Sequence, residues 1–250
     1  MPKSLGFAGF LDVPAGNVEG YGCVNKFGAS PEVAADTQED VWDGAGQYPW
    51  PTWGTAPITH LRQAVDQAGL RGALVEAQGL TITGAIIVQE KNLDATDTTT
   101  IVAWNTPMSR IFRLKVFAAV ASDQLVQATN AAETVIYAQI TIGKNQTLMA
   151  LSTVPLGKTA YITQYYADHV RTTARDPVSV EFGLWVAEPA NGFTFQLKHE
   201  KATSTQQTDL SHAFKPYLKV EELRDIKMTA LPDTSPAHVH AGYDYILVNN

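Results

Sequence analysis

Histidine and aspartate side chains that could bind a metal or assist catalysis occur at two places in the sequence. His238 and His240 form an H-x-H pair, and on a strand both imidazoles would lie on one face, as a metal site requires. No third ligand can be named, so solvent exposure is the simpler interpretation. Asp168 and His169 are adjacent, but no G-x-S-x-G motif provides a nucleophile. We therefore expect no catalytic residue, no metal ligand and no cofactor, and we place Asp168 and His169 in a loop.

Acidic residues offer two further kinds of site, and neither has a supporting pattern. A cluster before and within a Trp-rich segment lacks the D-x-[DN]-x-[DN]-G-x5-E spacing of a calcium loop, and capping or solvated surface explains it: Asp36, Glu39, Asp40 and Asp43. A polysaccharide depolymerase needs two carboxylates in a cleft, for which the chain offers only scattered candidates: Glu181, Glu188 and Glu200. The sequence thus predicts a protein that is not an enzyme.

The composition of the chain limits the classes of partner that we expect it to bind. The chain of 250 residues has a formal net charge of −7 and scattered basic residues, which disfavours nucleic acid because DNA binding needs clustered Lys and Arg. Its single cysteine, Cys23, excludes an intrachain disulfide framework. No apolar run approaches the roughly 20 residues of a membrane span, and the N-terminal residues lack the apolar segment of a signal peptide. We expect no nucleic-acid partner and no membrane insertion.

Alternating apolar and polar residues predict strands over most of the chain. The period of two is clear in Ile111–Val120 and Glu133–Ile142, where one face of each strand is apolar. Short strands separated by Gly- and Pro-containing turns indicate an all-β, antiparallel β-sandwich or jelly-roll-like body. We divide it into a first β region, 57–142, and a second β-sandwich region, 143–250. The core of the second region is predicted to include Val180, Phe182, Leu184, Phe195 and Leu197.

Two local predictions depend on turns and breakers. Residues 146–154 and 159–167 flank a Pro-Leu-Gly-Lys turn and are predicted to form a hairpin. Residues 59–70 fit a short helix and a strand equally well, because the apolar spacing is near-helical but the segment runs into Gly69 and Gly72.

Residues 1–56 combine a Gly- and Pro-rich backbone with many aromatic side chains. We predict an irregular N-terminal arm, because Gly and Pro disfavour long regular elements. Trp42, Tyr48, Trp50 and Trp53 are too apolar for a disordered tail, so the arm should pack against its own β domain or against another subunit. A sugar-stacking platform is the alternative use of these rings.

Four segments of the chain resemble a family of uncharacterised tailed-bacteriophage virion structural proteins. They are Val24–Gly28 (VNKFG), Asp40–Gly46 (DVWDGAG), the stretch QTLMALSTVPLGKTAYIT from Gln146, and AGYDYILVNN at the C-terminus. The stretch between the first two departs from the family pattern at Ala34, Ala35 and Asp36, and the middle of the chain fits only loosely. None of the matched motifs is catalytic.

The resemblance implies a structural component of a phage virion, made in the host bacterial cytoplasm. A capsid-associated decoration or head-fibre-base protein is the first expectation, with other copies of the chain in a homotrimer and virion proteins such as the major capsid protein as partners. The alternative is a tail or fibre component that binds host-surface glycan. Docking of the arm is assigned to the following residues: Phe27, Gly28, Trp42, Gly44, Gly46, Trp50 and Trp53.

Overall fold

The structure, a computed structural model, describes residues 12–170 and 179–250. Two short 3-10 turns, Ala68–Leu70 and Pro189–Asn191, interrupt a succession of strands. The strands are β1 Tyr21–Val33, β2 Glu39–Asp40, β3 Ile58–Gln63, β4 Leu74–Leu80, β5 Ile86–Asn92, β6 Val102–Met108, β7 Arg110–Phe117, β8 Val126–Thr129, β9 Ile136–Ile140, β10 Leu151–Thr153, β11 Lys158–Val170, β12 Ser179–Glu188, β13 Phe193–Ser204, β14 Asp209–Val220, β15 Asp225–Pro232 and β16 Ala237–Asn249. The predicted all-β fold class is confirmed.

The strands form four antiparallel sheets in two β regions. In the second β region, sheet 1 has the order β1-β16-β11-β14 and sheet 2 the order β10-β15-β12-β13, with β2 also paired to β15. Apolar side chains of sheets 1 and 2 share one core, which includes Tyr165, Phe182 and Tyr243. In the first β region, sheet 3 has the order β6-β3-β8-β9 and sheet 4 the order β5-β4-β7, around a second core.

The N-terminal residues differ from the predicted irregular arm. Tyr21–Val33 forms the 13-residue strand β1, which pairs with the C-terminal strand β16 from Tyr21 opposite Val248 to Val33 opposite Ala237. Its glycines lower the intrinsic preference for a strand, but hydrogen bonds to β16 compensate for that loss. β1 and β2 therefore belong to the second β region, and the stretch between β2 and β3 is irregular.

The predicted hairpin at residues 146–167 is wrong. β10 pairs with β15 in sheet 2, whereas β11 pairs with β14 and β16 in sheet 1. The turn between them, which contains Gly157 at φ +75°, carries the chain from one layer of the sandwich to the other. A tight turn leaves the next strand free to cross to the facing sheet, and the larger burial of the long strand β11 there decides the outcome.

The predicted core of the second region is confirmed in part. Val180, Phe182 and Leu184 of β12 are fully buried, but Leu197 of β13 is 43% exposed and Phe195 is half-buried. β12 lies inside sheet 2, while β13 is its edge strand. The register shifts between Leu184 and Trp185, and Leu197 pairs with Trp185, so Phe195 and Leu197 lie on the face of sheet 2 that points away from sheet 1.

Tertiary contacts decide the secondary structure of two further segments. Residues 58–63 form the strand β3 and residues 68–70 a 3-10 turn, so the segment left open between helix and strand begins as a strand and ends in a 3-10 turn. Asp168 and His169, predicted in a loop, lie near the C-terminal end of the strand β11, opposite His240 and Val239 of β16. The strand extends because β16 continues beside it.

Candidate functional site

The Trp-rich segment predicted as a docking surface lies between the two β regions of its own chain. Trp42 is 3% exposed and packs edge-on to Tyr48, with ring centroids 5.1 Å apart, and both side chains belong to the core of the first β region. Trp42 forms an isolated bridge with Met149, and its indole N–H donates to the carbonyl of Gly46 at 3.2 Å. This side chain therefore anchors the segment within the chain.

The three glycines predicted to allow close approach behave differently from one another. A Cβ at Gly28 would lie 2.3 Å from the Ala150 nitrogen and 2.5 Å from the Val41 oxygen, so only glycine fits there. Gly44 lies against the ring of Trp42, and Gly46 is open but has φ +65°. Among the predicted docking residues, Phe27 has an accessible ring, with 37% exposure.

Trp50 and Trp53 enclose a buried ion pair that joins the two β regions. Arg110 of β7 is 1% exposed, and its Nε and Nη2 atoms donate to the two carboxylate oxygens of Asp225 in β15, each at 2.9 Å. Its Nη1 atom donates to the carbonyls of Pro51 and Ser109. The guanidinium carbon lies 5.6 Å from the Trp50 ring centroid and 5.4 Å from that of Trp53, within cation–π range. We call this arrangement the clamp, because the ion pair between Arg110 and Asp225 holds β7 of the first β region against β15 of the second.

The acidic cluster of the segment is used internally. Glu39 accepts hydrogen bonds from the backbone N–H groups of Ala34 and Gly46, which is the predicted capping role. Asp40 is fully buried and pairs with Lys227 of β15 at 2.6 Å; burial raises the pKa of Asp40, and the lysine opposes that shift. These carboxylates therefore hold the segment to its own backbone and to β15.

Asp43 is a buried acid without an ion pair among the described residues. Burial raises its pKa to about 7, opposed by hydrogen bonds from the Leu148 backbone N–H at 3.2 Å and the Thr141 hydroxyl at 3.3 Å. Its own backbone N–H donates to the Leu148 carbonyl at 3.0 Å. Asp43 thus attaches the segment to the chain just before β10.

Histidine 238, histidine 240 and Asp168 meet on the outer face of sheet 1, as the H-x-H spacing predicts for a strand. His240 Nδ1 lies 2.7 Å from Asp168 Oδ1, and the two imidazole centroids are 4.7 Å apart. His169 is buried on the opposite face, 2.9 Å from the Thr203 hydroxyl. Asp168 and His169 therefore cannot act on one substrate. Among residues 12–170 and 179–250, no group of three or more His, Cys, Asp or Glu side chains could hold a metal ion.

A cavity of about 230 Å³ lies between sheet 1 and sheet 4. Apolar side chains dominate its wall: Val24, Phe27, Ile86, Val88, Phe112 and Leu247. Lys26 and Arg113 line the same cavity. Burial, followed by repulsion from Arg113, lowers the pKa of Lys26 to about 7, and attraction from Asp43 opposes that shift.

Sequence reasoning missed the Arg110–Asp225 pair and the Lys26 cavity. Arg110 begins a strand whose other basic residues face outward, and its partner lies 115 positions away. The sequence did contain a signal for Lys26. This lysine lies within β1 between Val24 and Gly28, so its side chain must extend past an apolar edge of the strand. The sequence does not indicate which surface would cover that edge.

Comparison with known proteins gives little to set beside this geometry. No family model matches the chain, and no curated protein matches it in sequence. Among solved structures, the chain is similar to the infectious bursal disease virus VP2 subviral particle at 8% identity, with coverage of 93% of this chain and 73% of that chain. The TM-score is 0.23, which is too low to argue a shared fold or function. No helix among the described residues is long and apolar enough to cross a membrane.

Proposed function

We propose that the chain is a non-enzymatic structural component of a tailed-bacteriophage virion, as a capsid-associated decoration or head-fibre-base protein. Its partners would be other copies of itself, in a homotrimer, and virion proteins such as the major capsid protein. Its role would be mechanical. Each contact buries little surface and stabilises the shell weakly, but the symmetric shell repeats the contact many times, so the total stabilisation is large.

One observation supports this proposal above others. The four segments that resemble the virion family meet at a single junction, although they lie far apart in sequence. Gly28 pairs with Ala241 of β16, and its backbone touches Val41 and Ala150. The Ala150 N–H donates to the Val41 carbonyl at 3.0 Å, and Trp42 bridges to Met149. Residues in such a junction support architecture, because their roles are close backbone approach and core packing.

The surface beside this junction supports association with other proteins. Phe27, Ile86 and Val88 are 37%, 54% and 56% exposed and line one cavity. Contiguous exposed apolar surface commonly marks an interaction site. Phe27 is also the predicted docking residue whose ring is accessible, so the docking hypothesis now centres on this side chain.

Mass spectrometry of gradient-purified particles tests the proposal. We expect the chain in the particles, and its copy number relative to the major capsid protein distinguishes the shell from a vertex or the tail. Absence of the chain from infectious particles contradicts the proposal. Phe27→Asp should reduce occupancy, whereas Tyr217→Asp, also at an exposed aromatic residue, should not. Substitution is the suitable perturbation, because deletion of residues 1–56 would remove β1 and the Trp42 anchor from the fold.

A second candidate, glycan binding, is favoured by the outer face of sheet 1. The ring of Tyr166 lies over Gly242, where an added Cβ would be 2.5 Å from its Cζ atom. Asn25 donates to the Tyr166 hydroxyl at 3.0 Å, and Gln164 donates to Asp244 at 2.7 Å. A ring lying flat among amide and carboxylate groups suits a sugar face and its hydroxyls. Binding to a host-surface oligosaccharide array that Tyr166→Ala abolishes would favour this candidate.

A further inference from the structure

The cavity between sheets 1 and 4 combines apolar walls with two cations, Lys26 and Arg113, whose acidic neighbours Asp43 and Glu76 attract them without forming an ion pair. Lys26 Nζ donates to the Phe112 carbonyl at 2.7 Å, and Arg113 Nε donates to the Gln146 side-chain oxygen at 3.1 Å. Both acceptors are neutral. Within residues 12–170 and 179–250, neither cation takes part in an ion pair. In a chain of net charge −7, this is a local positive site on an apolar surface.

The position of the two cations is costly without an anion. Transfer of a charge into an apolar environment is unfavourable unless it is paired, and the two cations also repel each other. The pKa of Lys26 falls to about 7 for these reasons. Arg113 adds a second cationic side chain to the same wall of the cavity. A bound carboxylate would relieve both penalties.

We propose that this cavity is a ligand site for a small amphiphilic carboxylate, with its apolar group between β1 and β5 and its carboxylate toward Lys26 and Arg113. The size fits such a ligand, because an apolar cavity of about 150 Å³ accepts benzene and this one has about 230 Å³. A ring with a short acid-bearing substituent therefore has room. Ile86 and Val88, exposed on the edge strand β5, form the mouth.

The charge states predict a bell-shaped dependence of affinity on pH. A carboxylic acid is ionised above about pH 4–5, and Lys26 in the empty cavity loses its proton near pH 7. Binding is tightest between these two values. Above pH 7 the ligand must draw a proton onto Lys26, so affinity decreases as pH rises. The lower side of the curve belongs to the ligand, and the upper side to Lys26 together with Asp43, which ionises near pH 7 and then repels the bound carboxylate.

Isothermal titration of the full chain with 3-phenylpropionate and its neutral analogue 3-phenylpropanol tests the site. At pH 6 we expect the acid to bind at least about tenfold more tightly than the alcohol, since charge-assisted hydrogen bonds exceed neutral ones. At pH 9 the preference should shrink. Lys26→Met should weaken binding of the acid but not of the alcohol, and should reduce the loss of affinity between pH 7 and 9. Lys198→Met, at an exposed lysine on β13, is the matched control and should bind as the parent chain does.

A variant that fills the mouth separates the apolar part of the site from the charged part. Val88→Trp, at a residue 56% exposed and therefore tolerant of a larger side chain, should abolish binding of both compounds. Equal affinity for acid and alcohol in the parent chain overturns the proposal, as does unchanged binding of the acid by Lys26→Met or by Val88→Trp. The proposal is also overturned if neither compound binds to the parent chain. These measurements use the isolated chain, so their outcome is independent of the virion proposal.

Discussion

Replacing Asp225 by Asn leaves the guanidinium of Arg110 charged at a position from which water is excluded. Arg110 is 1% exposed and cannot release its proton. Removal of one partner from a buried ion pair costs about 3–5 kcal/mol, because the remaining charge is uncompensated. Asn keeps the volume and one acceptor oxygen, but its amide group presents N–H donors to the N–H donors of the arginine. The Thr153 hydroxyl, which donates to Asp225, also loses its charged acceptor.

The same loss of stability should be visible in urea unfolding. With an m-value of about 3 kcal/mol per M, 3–5 kcal/mol corresponds to a midpoint shift of roughly 1–1.7 M. Tryptophan fluorescence is a suitable probe, because Trp50 and Trp53 lie against Arg110. Circular dichroism at the same urea concentrations checks that the whole fold unfolds in one transition.

A double-mutant cycle separates the buried charge from the loss of packing. Arg110→Met with Asp225→Asn should cost less than the sum of the two single changes, because the double variant retains no unpaired charge. Arg71→Met removes an exposed arginine from its pair with Asp66 and is the matched control, with a midpoint near that of the parent chain. Asp225→Asn with the midpoint of the control, or strict additivity in the cycle, would refute the clamp.

Two further predictions concern the motif junction and the open edge of the sandwich. Gly28→Ala should destabilise the chain strongly, because its Cβ would overlap backbone atoms of Val41 and Ala150, whereas Gly22→Ala meets no atom within 4 Å and should be tolerated; thermal melting compares the two. His199 and His212 stack with centroids 3.8 Å apart, and burial lowers the pKa of each, so the unfolded chain binds protons more readily than the folded one. The free energy of unfolding should therefore decrease as pH falls through about 6.5, and His212→Phe should reduce that decrease; an unchanged pH dependence in this variant contradicts the assignment.

The motifs that resemble the virion family indicate which side chains are buried, but not which surface buries them. D-V-W-D-G-A-G lies in the arm predicted to be irregular and to pack its aromatic rings, and in the structure Trp42 is buried and Gly46 has φ +65°. Which surface would bury Trp42 was left open between the chain's own β domain and another subunit. The first β region of the same chain covers it. Docking to a neighbouring subunit stays a prediction for the exposed ring of Phe27.

Alternation along the chain by itself determined the strand class and the apolar face of most strands. Val180, Phe182 and Leu184 are buried as their spacing requires, because a period of two places every second side chain on one face whatever the partner strand. Leu197 obeys the same spacing and is exposed, because the register shift in the pairing of β12 with β13 places it beside Trp185 on the outer face of sheet 2. Position within a sheet is set by long-range pairing, which no local pattern encodes.

Only the tertiary structure decided the pairing of β1 with β16, the separation of β10 from β11, and the burial of Arg110. Each depends on groups far apart in sequence: β1 and β16 stand at opposite ends of the chain, and Arg110 needs the carboxylate of Asp225. A charged residue is an unfavourable core residue until such a partner is present. Sequence alone therefore gives no reason to bury Arg110, and only the packing of the two β regions against each other makes it the centre of their contact.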